Sequence, residues 1–141
     1  MTPANRITIE TTVHAPVEKV WSCWTEPEHI MQWNAASPDW HTPRATNDLR
    51  EGGKFTSRME AKDGSAGFDF EGVYSKVEPL AHIVYAMSDG RAVDVRFEAR
   101  GDDTHVIESF DPESENSLEM QRQGWQSILD NFKKHTEAHS S

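Results

Sequence analysis

Residues 116–135 read NSLEMQRQGWQSILDNFKKH, and this stretch predicts a long helix near the end of the 141-residue chain. Its apolar side chains recur at the three- and four-residue spacing of one helical face: Leu118, Trp125, Ile128, Leu129 and Phe132. Asn116 is expected to cap the helix, with Glu119 three residues on. The basic residues of 133–135 suit the negative end of the helix dipole. A helix with this apolar face needs a large apolar surface to cover it.

Six earlier segments predict the strands of that surface. They alternate apolar with polar side chains or are rich in β-branched and aromatic residues, as strands of a half-buried sheet are. The segments span 6–13, 54–61, 68–74, 82–87, 92–99 and 104–110. Tight turns at Asp63-Gly64, Asp89-Gly90 and Gly101 join neighbours, which makes the sheet antiparallel.

Two short helices are expected after the first strand. Pro16 suits the first turn of one helix, and Pro27 suits the first turn of the next, which carries Trp33. The sequence therefore predicts an α+β fold, in which a curved antiparallel sheet of about six to seven strands wraps around a long C-terminal helix. Residues 1–141 are expected to form one domain, with 136–141 as a frayed tail.

Several motifs along the chain carry a family resemblance. They are APVEKVW at 15–21, WTEPEHI at 24–30, DLREGGKF at 48–55, FEGVY at 70–74 and Gly124-Trp125. With this order of elements the chain resembles the SRPBCC superfamily, which includes START domains and the birch-pollen-allergen fold. It is most similar to the branch named for the activator of heat-shock protein 90 ATPase. The resemblance implies a helix-grip fold that usually encloses a cavity, in a group that contains lipid carriers and polyketide cyclases.

A set of aromatic, methionine and polar side chains is a candidate lining for such a cavity. Aromatic faces accept flat ligands, and methionine adapts to irregular shapes. The predicted ligand-binding residues are Trp33, Asn34, Trp40, His41, Phe55, Met59, Phe70, Tyr74, Tyr85, Met87, Phe97, Glu108, Phe110 and Trp125. The alternative is that the same apolar residues fill a packed core.

His41 and Glu108 are the two candidates for chemistry. His41 ends a segment, 33–41, that reads as a loop at the mouth of the cavity, and a histidine titrates near neutral pH. Glu108 faces the cavity if Val106 and Phe110 do, but a shift of one residue would turn it to water. Both directions stay open here. An inward carboxyl would have a raised pKa and would need a partner, for which the candidates are Arg50, Arg58 and Arg96.

Composition narrows the classes of partner. The formal net charge is −10, which repels nucleic acid and anionic membranes. No run of residues is apolar enough to insert in a bilayer, and a single cysteine, Cys23, suits the reducing cytoplasm. The histidines lack metal-ligand spacing and no cofactor motif occurs, so neither a metal nor a cofactor is expected.

The sequence leaves three hypotheses of function. The leading one is that the protein binds a small apolar or aromatic molecule between the sheet and the last helix. The second is an enzyme of the cyclase or hydrolase type, with His41 or Glu108 as the proton-transfer group. The third is a protein-interaction module, either a homodimer or a chaperone-ATPase activator, which would use an exposed tryptophan or an edge strand.

Overall fold

Seven strands and three helices make up the part of the chain that the computed structural model describes, which is residues 6–35, 38–87, 90–114 and 116–138. In chain order they are β1 (Ile7–Val13), α1 (Val17–Thr25), α2 (Pro27–Trp33), β2 (Trp40–Asn47), β3 (Lys54–Ala61), β4 (Gly67–Glu78), β5 (His82–Met87), β6 (Ala92–Arg100), β7 (Asp103–Phe110) and α3 (Leu118–Ala138).

The strands form one antiparallel sheet in the order β1-β7-β6-β5-β4-β3-β2. Five of the six pairings join strands that follow each other in the chain, and the sixth pairs β1 with β7. The sheet curls into a half-barrel, and α3 packs along it as the long covering helix. This architecture confirms the predicted α+β helix-grip fold.

Helix α3 is held by aromatic contacts at two levels. Trp125 stacks on Phe110 of β7 with ring centroids 3.8 Å apart and planes 11° from parallel. About two turns further along, Phe132 is fully buried and meets Trp24 of α1 and Trp33 of α2 edge-on, at centroid distances of 4.8 and 5.0 Å. The described residues include no helix that is long and apolar enough to cross a membrane.

The strand β2 was not predicted. Its first two residues, Trp40 and His41, belong to the segment 33–41 that was predicted to be a loop. Pro43 cannot donate a backbone hydrogen bond, and the pairing with β3 shifts register between His41 and Arg44. These two features interrupt the alternation of apolar and polar residues by which the other strands were predicted. Of the predicted loop, residues 36 and 37 lie outside the described ranges.

The ends of α3 also differ from the prediction. Ser117, and not Asn116, is the cap, because its hydroxyl accepts the N–H of Met120 at 3.1 Å. The helix continues to Ala138, and Thr136 is fully buried, so the frayed tail expected from 136 is wrong for 136–138. Residues 139–141 lie outside the described ranges, as does Asp89 of the predicted turn before β6.

Gly72 on β4 marks a point of close packing between neighbouring strands. A Cβ atom at this position would lie 2.5 Å from Cε2 of Phe55 and 3.0 Å from Cδ2 of Tyr85. The missing side chain is therefore what lets the Phe55 ring lie across β4 and reach Tyr85 at a centroid distance of 4.8 Å.

We expect Gly72→Ala to lower the free energy of unfolding by about 1–3 kcal/mol, because the added methyl group forces both rings to shift. Urea denaturation measures this. Gly124→Ala in α3 is the matched control: its Cβ would meet nothing within 4 Å, so that alanine should be neutral or stabilise the helix by up to about 1 kcal/mol. Equal stability of Gly72→Ala and the natural protein would contradict the packing described above.

Candidate ligand-binding cavity

A cavity of about 490 Å³ lies between the sheet and α3. Its volume is within the range of roughly 300–1,000 Å³ that is usual for small-molecule pockets. Ten of the predicted residues line it: Trp33, Asn34, Phe55, Met59, Phe70, Tyr74, Tyr85, Met87, Glu108 and Trp125.

Four predicted residues do not line the cavity. Trp40 and His41 lie on β2, where the Trp40 ring faces Phe68 at a centroid distance of 6.0 Å. Phe97 on β6 packs under α1, edge-on to Trp21 and Trp24, and Phe110 lies behind the Trp125 ring. The two phenylalanines are core residues because the helices cover their part of the sheet.

Other lining residues were missed. Ser57 lies between Phe55 and Met59 on the same face of β3, so the two-residue period of the strand already pointed to it. Ile128 and Leu129 belong to the predicted apolar face of α3. The remaining ones carry no pattern in the sequence that marks a cavity: Trp24, Ile30, Thr46, Phe68, Asp69, Glu71, Arg91, Glu113, Asn116 and Gln121.

The sheet side of the cavity is an aromatic wall centred on Phe55. Its ring meets those of Phe70, Tyr74 and Tyr85 at centroid distances of 5.6, 5.4 and 4.8 Å. The Tyr74 hydroxyl donates to the Asn47 side-chain oxygen at 2.6 Å. Burial raises the pKa of Tyr74 to about 12, although that hydrogen bond acts in the opposite direction. Burial also raises the pKa of Tyr85 well above its usual value. Both tyrosines are therefore neutral at physiological pH.

Glu108 faces into the cavity, which settles the direction that the sequence left open. Its neighbours at i−2 and i+2, Val106 and Phe110, are fully buried, and only 6% of Glu108 is exposed. The other face of β7 is occupied by polar contacts, in which His105 bonds to Thr12 and Glu10. The strand therefore places one carboxyl group among apolar and aromatic side chains.

The Glu108 carboxyl faces the cavity and forms no hydrogen bond or ion pair with residues 6–35, 38–87, 90–114 and 116–138. The three arginines proposed as partners are paired elsewhere: Arg50 with Asp48, Arg58 with Glu60 and Asp69, and Arg96 with Asp94. Burial raises the pKa of Glu108 to about 8. The carboxyl is thus mainly protonated at neutral pH and can donate a hydrogen bond.

Comparison with known proteins assigns the chain to a family. Residues 14–137 match the family model described as activator of Hsp90 ATPase homolog 1-like protein. The chain belongs to this AHSA1-like family. Membership confirms the resemblance to the SRPBCC branch named in the sequence analysis. No protein with curated functional information matches the chain significantly.

Solved structures of AHSA1-like proteins share the fold. The solution structure of an AHSA1-like protein from Aeromonas hydrophila is 47% identical over 95% of this chain and 93% of its own, with a TM-score of 0.90. A protein from Cytophaga hutchinsonii is 54% identical over 96% of this chain and 94% of its own, with a TM-score of 0.83. A protein from Nitrosomonas europaea has the same TM-score of 0.83 at 17% identity, over 98% of both chains, and shows the fold alone.

The exposed members of the cavity lining mark its mouth. They are Phe68 and Asp69 at the start of β4 and Asn116 in the connection between β7 and α3, where the half-buried Glu113 also lines the cavity. Gln121 holds that connection, because its side-chain amide donates to the carbonyl oxygens of Glu113 and Asn116 and accepts from the Glu113 N–H. Besides the protonated Glu108, the described part of the lining holds three carboxylates, Asp69, Glu71 and Glu113, against the guanidinium of Arg91, so an anionic ligand meets an unfavourable potential.

The raised pKa of Glu108 predicts a pH-dependent stability. The unfolded carboxyl has a pKa near 4.5 and the folded one near 8, so the folded state binds the extra proton between these values. The contribution of Glu108 to stability is therefore fully present below about pH 4.5 and is lost as the pH rises to about 8, by an amount on the order of 5 kcal/mol. Glu108→Gln removes the titrating carboxyl. We therefore expect that variant to be as stable as the natural protein near pH 4.5 and more stable than the natural protein at pH 8.5.

Urea denaturation at a series of pH values measures this difference. Glu98→Gln is the control, because Glu98 is an exposed residue of β6 that pairs with Arg100. That variant should keep the pH dependence of the natural protein. If the free energies of unfolding of Glu108→Gln and the natural protein differed by a constant amount across the pH series, the pKa of Glu108 would not be raised by burial without a partner.

Proposed function

We propose that this AHSA1-like protein binds a small apolar or aromatic molecule in the cavity, with Glu108 as the group that contacts the polar atom of the ligand. One observation carries the proposal: a carboxyl that is 94% buried and unpaired among the described residues faces a cavity walled by aromatic rings. Such a group costs stability, and a packed core does not need it. A ligand that pairs with Glu108 would offset the cost, since binding sites often trade stability for function.

The protonation of Glu108 and Tyr85 narrows the class of ligand. Both are neutral near pH 7 and line the same cavity, so both offer O–H donors. A ketone, ether or hydroxyl oxygen complements such donors. A carboxylate is disfavoured by the acidic lining. The expected ligand is therefore a neutral molecule with a flat or aliphatic body and one hydrogen-bond acceptor.

Two measurements test the proposal. Native mass spectrometry of the protein purified from cells should show a co-purifying small molecule. Isothermal titration calorimetry should show that 2-acetylnaphthalene binds at least tenfold more tightly than 2-naphthoate, which has the same ring but carries a negative charge. If no mass co-purifies and neither probe binds to the folded protein, the cavity does not have this function.

The pH dependence of binding tests the role of Glu108. As the carboxyl ionises above about pH 8, it stops donating, so the affinity for 2-acetylnaphthalene should fall between pH 7 and pH 9.5. Glu108→Gln keeps a donor at all pH values, and its affinity should stay constant over this range. Glu108→Leu should bind roughly three- to tenfold more weakly than the natural protein at pH 7, the usual contribution of one hydrogen bond. A pH dependence that persists in Glu108→Gln would exclude the carboxyl as the contact.

A second candidate function is a reaction that uses Glu108 as general acid or base. The observation that favours it is the pKa of about 8, because proton transfer is most efficient when the pKa lies near the working pH. His41 lies outside the cavity lining, so the cyclase or hydrolase hypothesis now depends on Glu108 alone. Product analysis of any co-purifying compound, with Glu108→Gln as the inactive control, separates an enzyme from a carrier.

We also infer a cytoplasmic location from Cys23, because the one cysteine of the chain cannot form an internal disulfide and a reducing compartment suits it. Fractionation of cells that express the protein, followed by immunoblotting, tests this location.

A further inference from the structure

The three helices pack against one another, and each contributes a metal-ligating side chain to one cluster. Cys23 of α1 is fully buried, and His29 of α2 and His135 of α3 are half-buried beside it. One donor atom from each residue, the Cys23 sulfur and a nitrogen of each ring, lies within 4.8 Å of the other two. Nδ1 of His29 and Nε2 of His135 are 2.8 Å apart. Residues more than 100 positions apart in the chain therefore form one cluster.

The spacing of these atoms suits a tetrahedral ion. Zinc binds sulfur at about 2.3 Å and imidazole nitrogen at about 2.0–2.1 Å, which puts ligand atoms roughly 3.3–3.7 Å from one another. The two nitrogens need to separate by about half an ångström for this geometry. They lie on different helices with half-exposed rings, so a small rotation of either side chain is sufficient. One thiolate with two imidazoles is a ligand set that favours zinc over magnesium or calcium.

A buried hydroxyl beside the cluster provides an independent observation. Thr136 follows His135 and is fully buried, and its Oγ1 contacts the Cys23 thiol without a hydrogen bond of normal geometry in the described ranges. A thiol is a weak acceptor, so this buried hydroxyl lacks a good partner. A metal-bound thiolate is a strong acceptor for it, and such hydrogen bonds to first ligands are a regular feature of metal sites.

Carboxylates lie next to the cluster. Glu26 and Glu28 have ligand atoms within 4.8 Å of one another and of a ring nitrogen of His29; Glu26 precedes the first residue of α2, and Glu28 is exposed in its first turn. Their charge raises the local concentration of cations. A water molecule can complete a four-coordinate site.

We propose that Cys23, His29 and His135 bind a zinc-class divalent metal ion that fastens the end of α3 to α1 and α2. Binding releases the thiol proton and leaves the sulfur as a thiolate ligand. The site is separate from the ligand cavity, so it goes beyond the proposed function and does not depend on it.

Cobalt is the probe, because a thiolate-bound tetrahedral cobalt ion has a sulfur-to-metal charge-transfer band in the near ultraviolet and intense visible bands. The full-length protein, free of any histidine tag, should develop these bands on titration with Co²⁺ and lose them when Zn²⁺ is added. Zinc at about a hundred times its dissociation constant should raise the Tm by roughly 5–10 °C.

Variants identify the ligands. Cys23→Ala should abolish the charge-transfer band, and His29→Gln and His135→Gln should each weaken zinc binding at least tenfold. His41→Gln is the matched control, because His41 lies on β2 outside the cluster, and that variant should bind zinc as the natural protein does. Far-ultraviolet circular dichroism verifies that each variant is folded. The proposal is overturned if the natural protein shows no charge-transfer band with Co²⁺, or if Cys23→Ala binds zinc with unchanged affinity.

Discussion

The attachment of α3 to one side of the curved sheet is the constraint on which the rest of the structure depends. The helix is held by the stack of Trp125 on Phe110 and by Phe132 between Trp24 and Trp33. These contacts tie α3 to β7, α1 and α2, and it also lies along β1. The rings on β3, β4 and β5 are left facing α3 across the cavity, because a helix held at one side of a curved sheet cannot also touch the other.

Glu108 shows how the cavity differs from an ordinary core. Buried valines and phenylalanines surround it on β7 and β6, and the strand alternation places Glu108 on the same face as these residues. The residue opposite Glu108 on β6, Val95, is fully buried and offers no polar side chain. The backbone thus fixes the carboxyl in an apolar setting with no compensation from the described residues, and desolvation alone accounts for its raised pKa.

Trp33 connects the cavity with the three-helix cluster. Its ring lines the cavity, and its indole N–H donates to the carbonyl oxygen of Cys23 at 2.8 Å. The same ring packs against Trp24 and Phe132, which lies three residues before His135 on α3. Trp33 therefore belongs both to the cavity wall and to the packing between the three helices.

Periodic patterns in the sequence were sufficient for most of the fold. The apolar face of α3 and the alternation in six segments determined the elements and their antiparallel order, because a helix and a strand each impose a fixed spacing on their buried residues. The strand β2 escaped because Pro43 and a register shift disrupt that spacing. The start of α3 was misplaced by one residue because Asn116 and Ser117 both have the chemistry of a cap.

The sequence by itself determined the class of fold, the family and most of the aromatic wall of the cavity. Only the tertiary structure decided that Glu108 points inward, because the two faces of a strand differ by one residue and the partner strands select between them. It also decided that Phe97 and Phe110 are core residues, since that depends on where the helices lie. The cluster of Cys23, His29 and His135 could not be read from spacing at all, because the packing of three helices brings it together.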